Sequence, residues 1–337
     1  MAHAIYYPYI RVPDSPWFTR TLLYWDDVGV IVPYEYIEHP ELLGDHMVGL
    51  VRESLVTQVV PGMHLGKVPR FESAFLDHVD SKAARPWAPA DRWPKVHMEK
   101  LQGVADGLCQ RGLARKDGSA AYSPWYKIEP DTADDFMAYL AAVLGQIPGE
   151  REFVPVTDQV NGLSRFRFPA PSVGRRASIR ELVVPQLLPS PSATVEAARL
   201  AEFKARHKAE LRDFWREIER RVSEWALIED DADRGVAIQE GVCELQDRVR
   251  EVAAMMERAR WPRLDFGGFC TIVGSGIAAW SAVATGDLQL GLTGAGLSLA
   301  PAVYQAFRGA DRQNTGNPLA YAVLAADQFS DASRRAG

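Results

Sequence analysis

The chain has 337 residues, which corresponds to about two domains at roughly 150 residues each. It is 47% apolar and 24% charged, and 38 Lys+Arg against 44 Asp+Glu give a net charge of −6. This composition excludes a wholly disordered or collagen-like chain, and the mildly acidic charge argues against broad binding to nucleic acid. We therefore expect no nucleic-acid partner.

The three cysteines are far apart and none belongs to a CxxC pair, so the sequence predicts neither a disulfide framework nor a zinc site. The opening MAHAIYYPYIRVPD lacks the basic and apolar regions of a signal peptide, which favours a cytoplasmic protein. HExxH, GxSxG and GxxxxGK[ST] motifs are absent, and the Gly-x-Gly pairs at 274–276 and 294–296 follow no predicted strand. We expect no cofactor, no metal and no catalytic residue.

Proline divides the chain. Nineteen of its 22 prolines lie at or before Pro191, and none lies between Ser192 and Trp261. Because proline disrupts helix interiors, the later region is predicted to be helical. We expect an α/β domain over 1–190, a long antiparallel helical hairpin over 191–263, and a Gly-rich apolar hairpin with a terminal helix over 264–337.

The opening predicts a short parallel β-α-β unit. Ile5–Ile10 is aromatic and β-branched, Asp14-Ser15-Pro16 is typical of a helix start, and Val28–Val32 is a short apolar run. A helix around 41–50 and a strand around 54–60 extend this unit.

The following region predicts a helix over 97–110, a strand over 125–128, a helix from 131 or 132 to about 146 and a strand over 153–157. The order of helix, turn, strand and helix resembles part of a winged helix. Residues 158–191 are predicted to be rich in loops.

Two groups of side chains are candidate binding residues. Asp26 and Asp27 follow the first predicted helix, where the helix dipole opposes acids, beside a strand end where α/β proteins place ligands. Aromatic residues surround them, so the predicted ligand-binding set is Tyr6, Tyr7, Tyr24, Trp25, Asp26 and Asp27. The alternative is that the aromatic residues belong to the core or its rim.

The second group contains arginines in the loop-rich segment, with phenylalanines between them. The predicted anion-contacting residues are Arg165, Arg167, Arg175 and Arg176. The alternative is a solvated loop whose arginines pair with acidic side chains.

Apolar residues from Leu200 to Trp225 and from Ile238 to Met256 recur in steps of three and four, which is typical of two amphipathic helices. The first helix is predicted to contain roughly 30 residues, and a polar break at Glu229–Gly235 separates it from the second. The helices over 194–260 are candidates for self-association or for binding a protein partner.

Residues 266–307 contain a single charge, Asp287, and each half has about the length of a membrane-spanning helix. Arginines flank both ends, so the pattern predicts membrane contact with both ends cytoplasmic, at the inner face of the membrane. The alternative is a hairpin of small residues buried in the protein. Leu319–Phe329 is predicted to form a final short helix.

The opening resembles an uncharacterised bacterial family with an IYYPYI…LYWDDV…IVP motif, on Ile5–Ile10, Leu23–Val28 and Ile31–Pro33. Weaker similarity covers Phe136–Ala141 and Phe203–Leu211. The family is a domain of unknown function, so the resemblance implies no catalytic residue. Bacterial proteins with this layout are associated with anti-phage or toxin-like systems.

These observations favour a non-enzymatic protein. Its α/β domain would bind a ligand or partner and would be coupled to an apolar hairpin that contacts membrane, as in a defence effector. One alternative is a soluble enzyme with a pocket at the first β-α-β unit. Another is a scaffold that oligomerises through its long helices.

Overall fold

The computed structural model describes residues 3–82, 92–118, 123–147, 152–159, 171–191, 195–258 and 317–329. The strands are β1 (His3–Tyr6), β2 (Asp27–Ile31), β3 (Val56–Val59), β4 (Lys95–His97), β5 (Ala114–Lys116), β6 (Trp125–Ile128) and β7 (Phe153–Val156). The helices are α1 (Pro16–Tyr24), α2 (Glu35–Glu38), α3 (Asp45–Arg52), α4 (Phe71–Asp80), α5 (Met98–Leu101), α6 (Val104–Gln110), α7 (Pro130–Leu144), α8 (Pro171–Leu187), α9 (Ala197–Arg206), α10 (Lys208–Ala226), α11 (Asp231–Arg258) and α12 (Ala320–Phe329).

The chain divides into two compact units. The α/β unit comprises residues 2–12 and 27–171, and the helical unit comprises residues 13–26 and 172–337. The helix α1 lies between β1 and β2 in sequence, but it belongs to the helical unit.

The α/β unit contains a parallel sheet in the order β3-β2-β1-β7. The predicted parallel pairing of the first two strands is confirmed, with Ile5 opposite Gly29, and β3 extends the sheet beside β2. Every residue of β2 is buried, which explains its unbroken apolar run. A Cβ on Gly29 would lie 3.1 Å from side-chain atoms of both Phe153 and Val59, so the sheet is crowded at this position.

Helices pack beside the sheet around a common apolar core. The helix α7 begins where the Glu129 side chain accepts hydrogen bonds from the backbone N–H groups of Asp131 and Thr132. Its end lies against β7, where a Cβ on Gly145 would be 2.4 Å from the Phe153 carbonyl oxygen. The core includes Ile5, Ile31, Val59, Phe75, Leu108, Phe136 and Leu140.

A second, antiparallel sheet has the order β4-β6-β5. The predicted strand over 125–128 is confirmed as β6. The single helix predicted over 97–110 is wrong, because His97 ends β4 and the chain turns at Gln102, whose φ is 49°. The result is the two short helices α5 and α6.

The helical unit combines α1 with α8–α12. Its long helices bury an apolar stripe each, and α10 and α11 contact each other and α12. The buried stripes are Leu211, Phe214, Ile218, Val222 and Trp225 on α10, and Ile238, Val242, Leu245, Val249, Val252 and Met256 on α11.

Two predictions in this region are wrong. The first long helix is interrupted at His207, whose backbone is not helical and whose ring lies 4.8 Å from the Phe203 ring. The apolar spacing continues across this break, so periodicity alone does not reveal it. The loop-rich segment 158–191 contains the 17-residue helix α8, with Pro185 inside it. Ile179, Val183, Val184 and Leu187 are buried there, and tertiary packing offsets the helix-breaking proline.

Candidate functional site at the carboxyl edge of the parallel sheet

The strand order changes direction between β1 and β7. The chain places β2 and β3 on one side of β1 and later adds β7 on the other. Ligands of parallel α/β sheets bind outside the carboxyl ends of strands near such a switch point. Tyr6 ends β1 there, and its hydroxyl donates a hydrogen bond to Asp158 Oδ1 at 3.0 Å, just after β7. Burial, and then the charge of Asp158, raises the pKa of Tyr6.

The loops after β2 and β3 meet α5 at the same edge. The backbone N–H of Tyr34 donates to Glu99 Oε2 at 2.7 Å, and the turn Pro61–Met63 contacts α5. His97 Nε2 lies 4.0 Å from Glu35 Oε1. His97 Nδ1 accepts from the Glu99 backbone N–H at 3.3 Å, so the proton of the neutral ring is on Nε2, which is directed toward Glu35.

Lys100 is the second buried titratable residue on this segment. Its side chain is 3% exposed. Burial lowers its pKa to about 7. Burial also lowers the pKa of His97, although Glu35 and Glu99 act in the opposite direction. A large fraction of both groups is therefore uncharged at neutral pH.

Exposed apolar side chains surround this edge. Arg11 Nη2 donates to the Leu42 carbonyl oxygen at 2.6 Å, which joins the loop after β1 to the loop after β2. Large apolar side chains that are exposed on loops and on a short helix are typical of a contact surface. They are Tyr9, Tyr34, Ile37, Leu42, Met63 and Met98.

The predicted ligand-binding residues are separated in the structure. Tyr6 and Tyr7 lie at the carboxyl end of β1, whereas Asp27 is the first residue of β2 and lies at the amino edge of the same sheet. The helix before Asp27 ends at Tyr24, so Asp27 does not cap it. Asp27 pairs with His3 Nδ1 and accepts a hydrogen bond from Thr57 Oγ1 at 3.1 Å.

Tyr24, Trp25 and Asp26 belong to the helical unit, where each has a packing partner. The Tyr24 hydroxyl donates to Glu219 Oε1 at 2.8 Å, and Arg180 binds the same carboxylate. The Arg180 guanidinium lies 5.7 Å from the centre of the Trp25 ring. Lys204 Nζ donates to the carbonyl oxygens of Trp25 and Asp26 at 2.6 and 2.7 Å.

The predicted anion-contacting arginines do not form one group among the described residues. Arg165 and Arg167 lie outside the described residues. Arg175 Nη1 donates to the Ala226 carbonyl oxygen at the end of α10, at 3.0 Å, and Arg176 is exposed on α8. Arg175 therefore stabilises a helix end within the helical unit.

Neither a metal site nor a membrane span is found in the described part of the chain. No group of three or more His, Cys, Asp or Glu side chains there could hold a metal ion. Within the same residues, no helix has the length and apolar character needed to cross a membrane. Residues 266–307 lie outside this set.

Sequence reasoning did not select His97, Lys100, Glu35 or Glu99. The pattern around them is that of an ordinary amphipathic helix, in which a lysine is expected to face solvent. The chain instead turns at Gln102, two residues after Lys100, and the Lys100 side chain is buried.

Compared with known proteins, the chain matches no family model, no curated protein and no solved structure.

Proposed function

We propose that the α/β unit is a binding module for a small organic ligand, and that its site is the carboxyl edge where the loops after β2 and β3 meet α5. The observation that supports this most is the burial of two titratable side chains on this segment, His97 and Lys100, with His97 Nε2 4.0 Å from Glu35 Oε1. Burying such groups costs folding free energy, and proteins retain them mainly at functional sites. The exposed apolar side chains around this edge, which we call the rim, supply contact area for the apolar part of the ligand.

The remaining architecture is interpreted in the same terms. The run α4-β4-α5-α6-β5-β6, with sheet order β4-β6-β5, supports the proposal of a winged-helix-like piece. In the helical unit, Arg221 contacts Glu244 at 2.6 Å and Arg248 contacts Glu217 at 3.1 Å, which supports an antiparallel hairpin of α10 and α11. This hairpin is the candidate surface for a protein partner.

The effector role rests on the sequence alone. In this proposal the apolar residues 266–307 contact membrane, and ligand binding controls that contact in a defence or toxin-like system. Both flanks of this segment, α11 and α12, belong to the helical unit.

The binding site is tested with anilinonaphthalene sulfonate, an apolar anionic dye, and the variant Met63→Glu/Met98→Glu. Two carboxylates at the rim repel the dye and remove apolar contact, so its affinity is expected to fall about tenfold or more. The matched control is Leu227→Glu/Met255→Glu, which adds the same charges at exposed apolar positions of the helical unit.

Fluorescence titration measures the affinity, and circular dichroism verifies that both variants fold. The proposal fails if the folded Met63→Glu/Met98→Glu variant binds the dye as tightly as the wild type does, or if both variants lose affinity equally.

A further inference from the structure

We propose that the exposed face of α10 and α11 binds a second copy of this chain, in a two-fold dimer where α10 of each copy lies against α11 of the other. This inference rests on the protein-partner role proposed for these two helices, and it does not depend on the ligand site in the α/β unit.

The first argument is the separation of charge between the two helices. Among the side chains that the structure describes, exposed positions of α10 carry four basic and two acidic residues, whereas those of α11 carry six acidic residues and no basic one. The basic residues of α10 are Lys208, Arg212, Arg216 and Arg220. The acidic residues of α11 are Asp231, Asp233, Glu240, Glu244, Asp247 and Glu251.

The arginines of α11 are placed differently from its acids. Arg234, Arg248 and Arg250 are half-buried, and each contacts a carboxylate of the same chain. They therefore add little positive charge to the exposed face, which stays acidic along α11.

The second argument is the spacing of like charges. Arg212, Arg216 and Arg220 follow one another at intervals of four residues, and so do Asp247 and Glu251. Like charges at this spacing destabilise a helix, and a face that only contacts water carries both signs interspersed. Oppositely charged side chains from a partner helix would offset this repulsion on both helices.

The third argument is the position of exposed apolar side chains. In the described part of the helical unit, the large apolar residues that are exposed all lie on α11 or directly after α10. They are Leu227, Val236 and Met255, which are 78%, 56% and 50% exposed. Burying them against a partner is favourable, and they lie along the same two helices as the charged stripes.

The register of the two helices shows how a second copy fits. Glu217 Oε1 lies 3.1 Å from Arg248 Nη1, and Arg221 Nη2 lies 2.6 Å from Glu244 Oε1. The helices therefore run in opposite directions, and Arg216 is level with the part of α11 between residues 244 and 251. A two-fold axis along the helices keeps each residue at its level, so the basic stripe of one copy faces the acidic stripe of the other.

The presence of both signs on one face favours a second copy over an unrelated partner. A uniformly acidic or basic partner would meet one helix of like charge, whereas a second copy meets opposite charge on both. Each contact then forms twice, as in other interfaces with two-fold symmetry.

The first test measures the mass of the full chain by analytical ultracentrifugation at low and high salt. We expect a dimer at about 0.05 M NaCl and association at least about tenfold weaker at about 0.5 M, because salt screens interactions between exposed charges. A wild-type chain that is monomeric at low salt, or whose association is insensitive to salt, would overturn the proposal.

The second test reverses the charge of each stripe. In Arg212→Glu/Arg216→Glu and in Asp247→Lys/Glu251→Lys, two like-charged helices face each other, so we expect each variant to associate about tenfold more weakly or worse. An equimolar mixture of the two variants pairs the reversed helices with each other and the native helices with each other, so we expect the dimer to return.

The control is Arg52→Glu/Arg176→Glu, which makes the same charge change at exposed positions of α3 and α8 and is expected to dimerise like the wild type. Circular dichroism verifies folding, and the salt dependence of the wild-type chain decides the question if a reversed variant does not fold. The dimer is excluded if folded reversed variants associate as tightly as the wild type, or if their mixture stays monomeric.

Dye titration separates this inference from the ligand site. If the wild-type chain is monomeric while dye binding remains sensitive to Met63→Glu/Met98→Glu, the dimer alone is wrong. If the mixture restores the dimer while dye binding is insensitive to those rim substitutions, the ligand site alone is wrong.

Discussion

At the scale of single residues, burial of Lys100 makes stability depend on pH. Its pKa is lowered by burial to about 7 in the folded chain, and it returns to about 10.5 on unfolding. Between these values the unfolded chain binds more protons than the folded chain. Stability therefore rises with pH across this window, by ~1.4 kcal/mol per pH unit from this group.

Lys100→Met removes the titrating group and retains most of the apolar length. We expect the variant to be more stable than the wild type at pH 7, and we expect the difference to shrink by ~1.4 kcal/mol per pH unit toward pH 9. Urea unfolding at several pH values measures this difference. A constant difference over that range would mean that Lys100 is not held in its neutral form.

Single residues also mark the limit of prediction from sequence. The aromatic residues at the start of the chain suggest a pocket and a core equally well. Tyr24 is assigned to packing only by its contact with Glu219, and Tyr6 is placed at a sheet edge only by its contact with Asp158. These partners are more than 100 residues away, so no local pattern could have identified them.

At the scale of elements, local sequence signals gave correct predictions where interactions between residues close in sequence determine the structure. Ser15 accepts a hydrogen bond from the Phe18 N–H at 3.3 Å and Pro16 is the first residue of α1, as the sequence predicts. The strands β4 and β5 contain three residues each, which is too short for a period to be recognised. The helix α8 is stabilised by tertiary contacts that overrule its proline.

One such contact joins α8, α10 and α1 through Arg180, Glu219 and Tyr24. The Arg180 and Glu219 side chains are 11% and 14% exposed, and Arg180 Nη2 lies 2.6 Å from Glu219 Oε2. Arg180→Met leaves a nearly buried carboxylate without its cation, so we expect a loss of ~3–5 kcal/mol in the free energy of unfolding.

The control is Arg176→Met on the exposed side of the same helix, where we expect a change within ~0.5 kcal/mol. Urea unfolding followed by circular dichroism measures both variants. Equal effects at the two positions would rule out a structural role for the buried pair. In Arg180→Met/Glu219→Met, the uncompensated charge is absent and much of the stability is expected to return.

At the scale of the whole molecule, the packing of the final helix within the helical unit could not be read from the sequence. The final helix itself was predicted, but its position was not. Seven of the ten residues of α12 are buried, and the helix contacts α10 and α11. The Tyr321 hydroxyl donates to the Leu23 carbonyl oxygen at 2.8 Å, and the Phe329 ring lies 4.9 Å from that of Phe203.

This arrangement allows the proposed membrane segment to be removed without removing α12. We expect a chain in which a Gly/Ser linker replaces residues 266–307 to keep the helical unit folded, because α12 remains available to fill its place against α10 and α11. A chain truncated after Gly316 loses α12. Because loss of one buried aromatic side chain alone costs ~3–5 kcal/mol, we expect that truncation to unfold the helical unit.

Sedimentation with lipid vesicles then isolates the role of residues 266–307. The wild-type chain is expected to sediment with vesicles, and the linker variant is expected to stay in the supernatant. Circular dichroism verifies that the described helices remain folded in both chains. If the linker variant aggregates or loses its cooperative thermal transition, residues 266–307 are part of the packed core and the membrane proposal is wrong. The truncated chain is the control for loss of α12. It is expected to unfold because the helix is missing, whether or not residues 266–307 contact membrane.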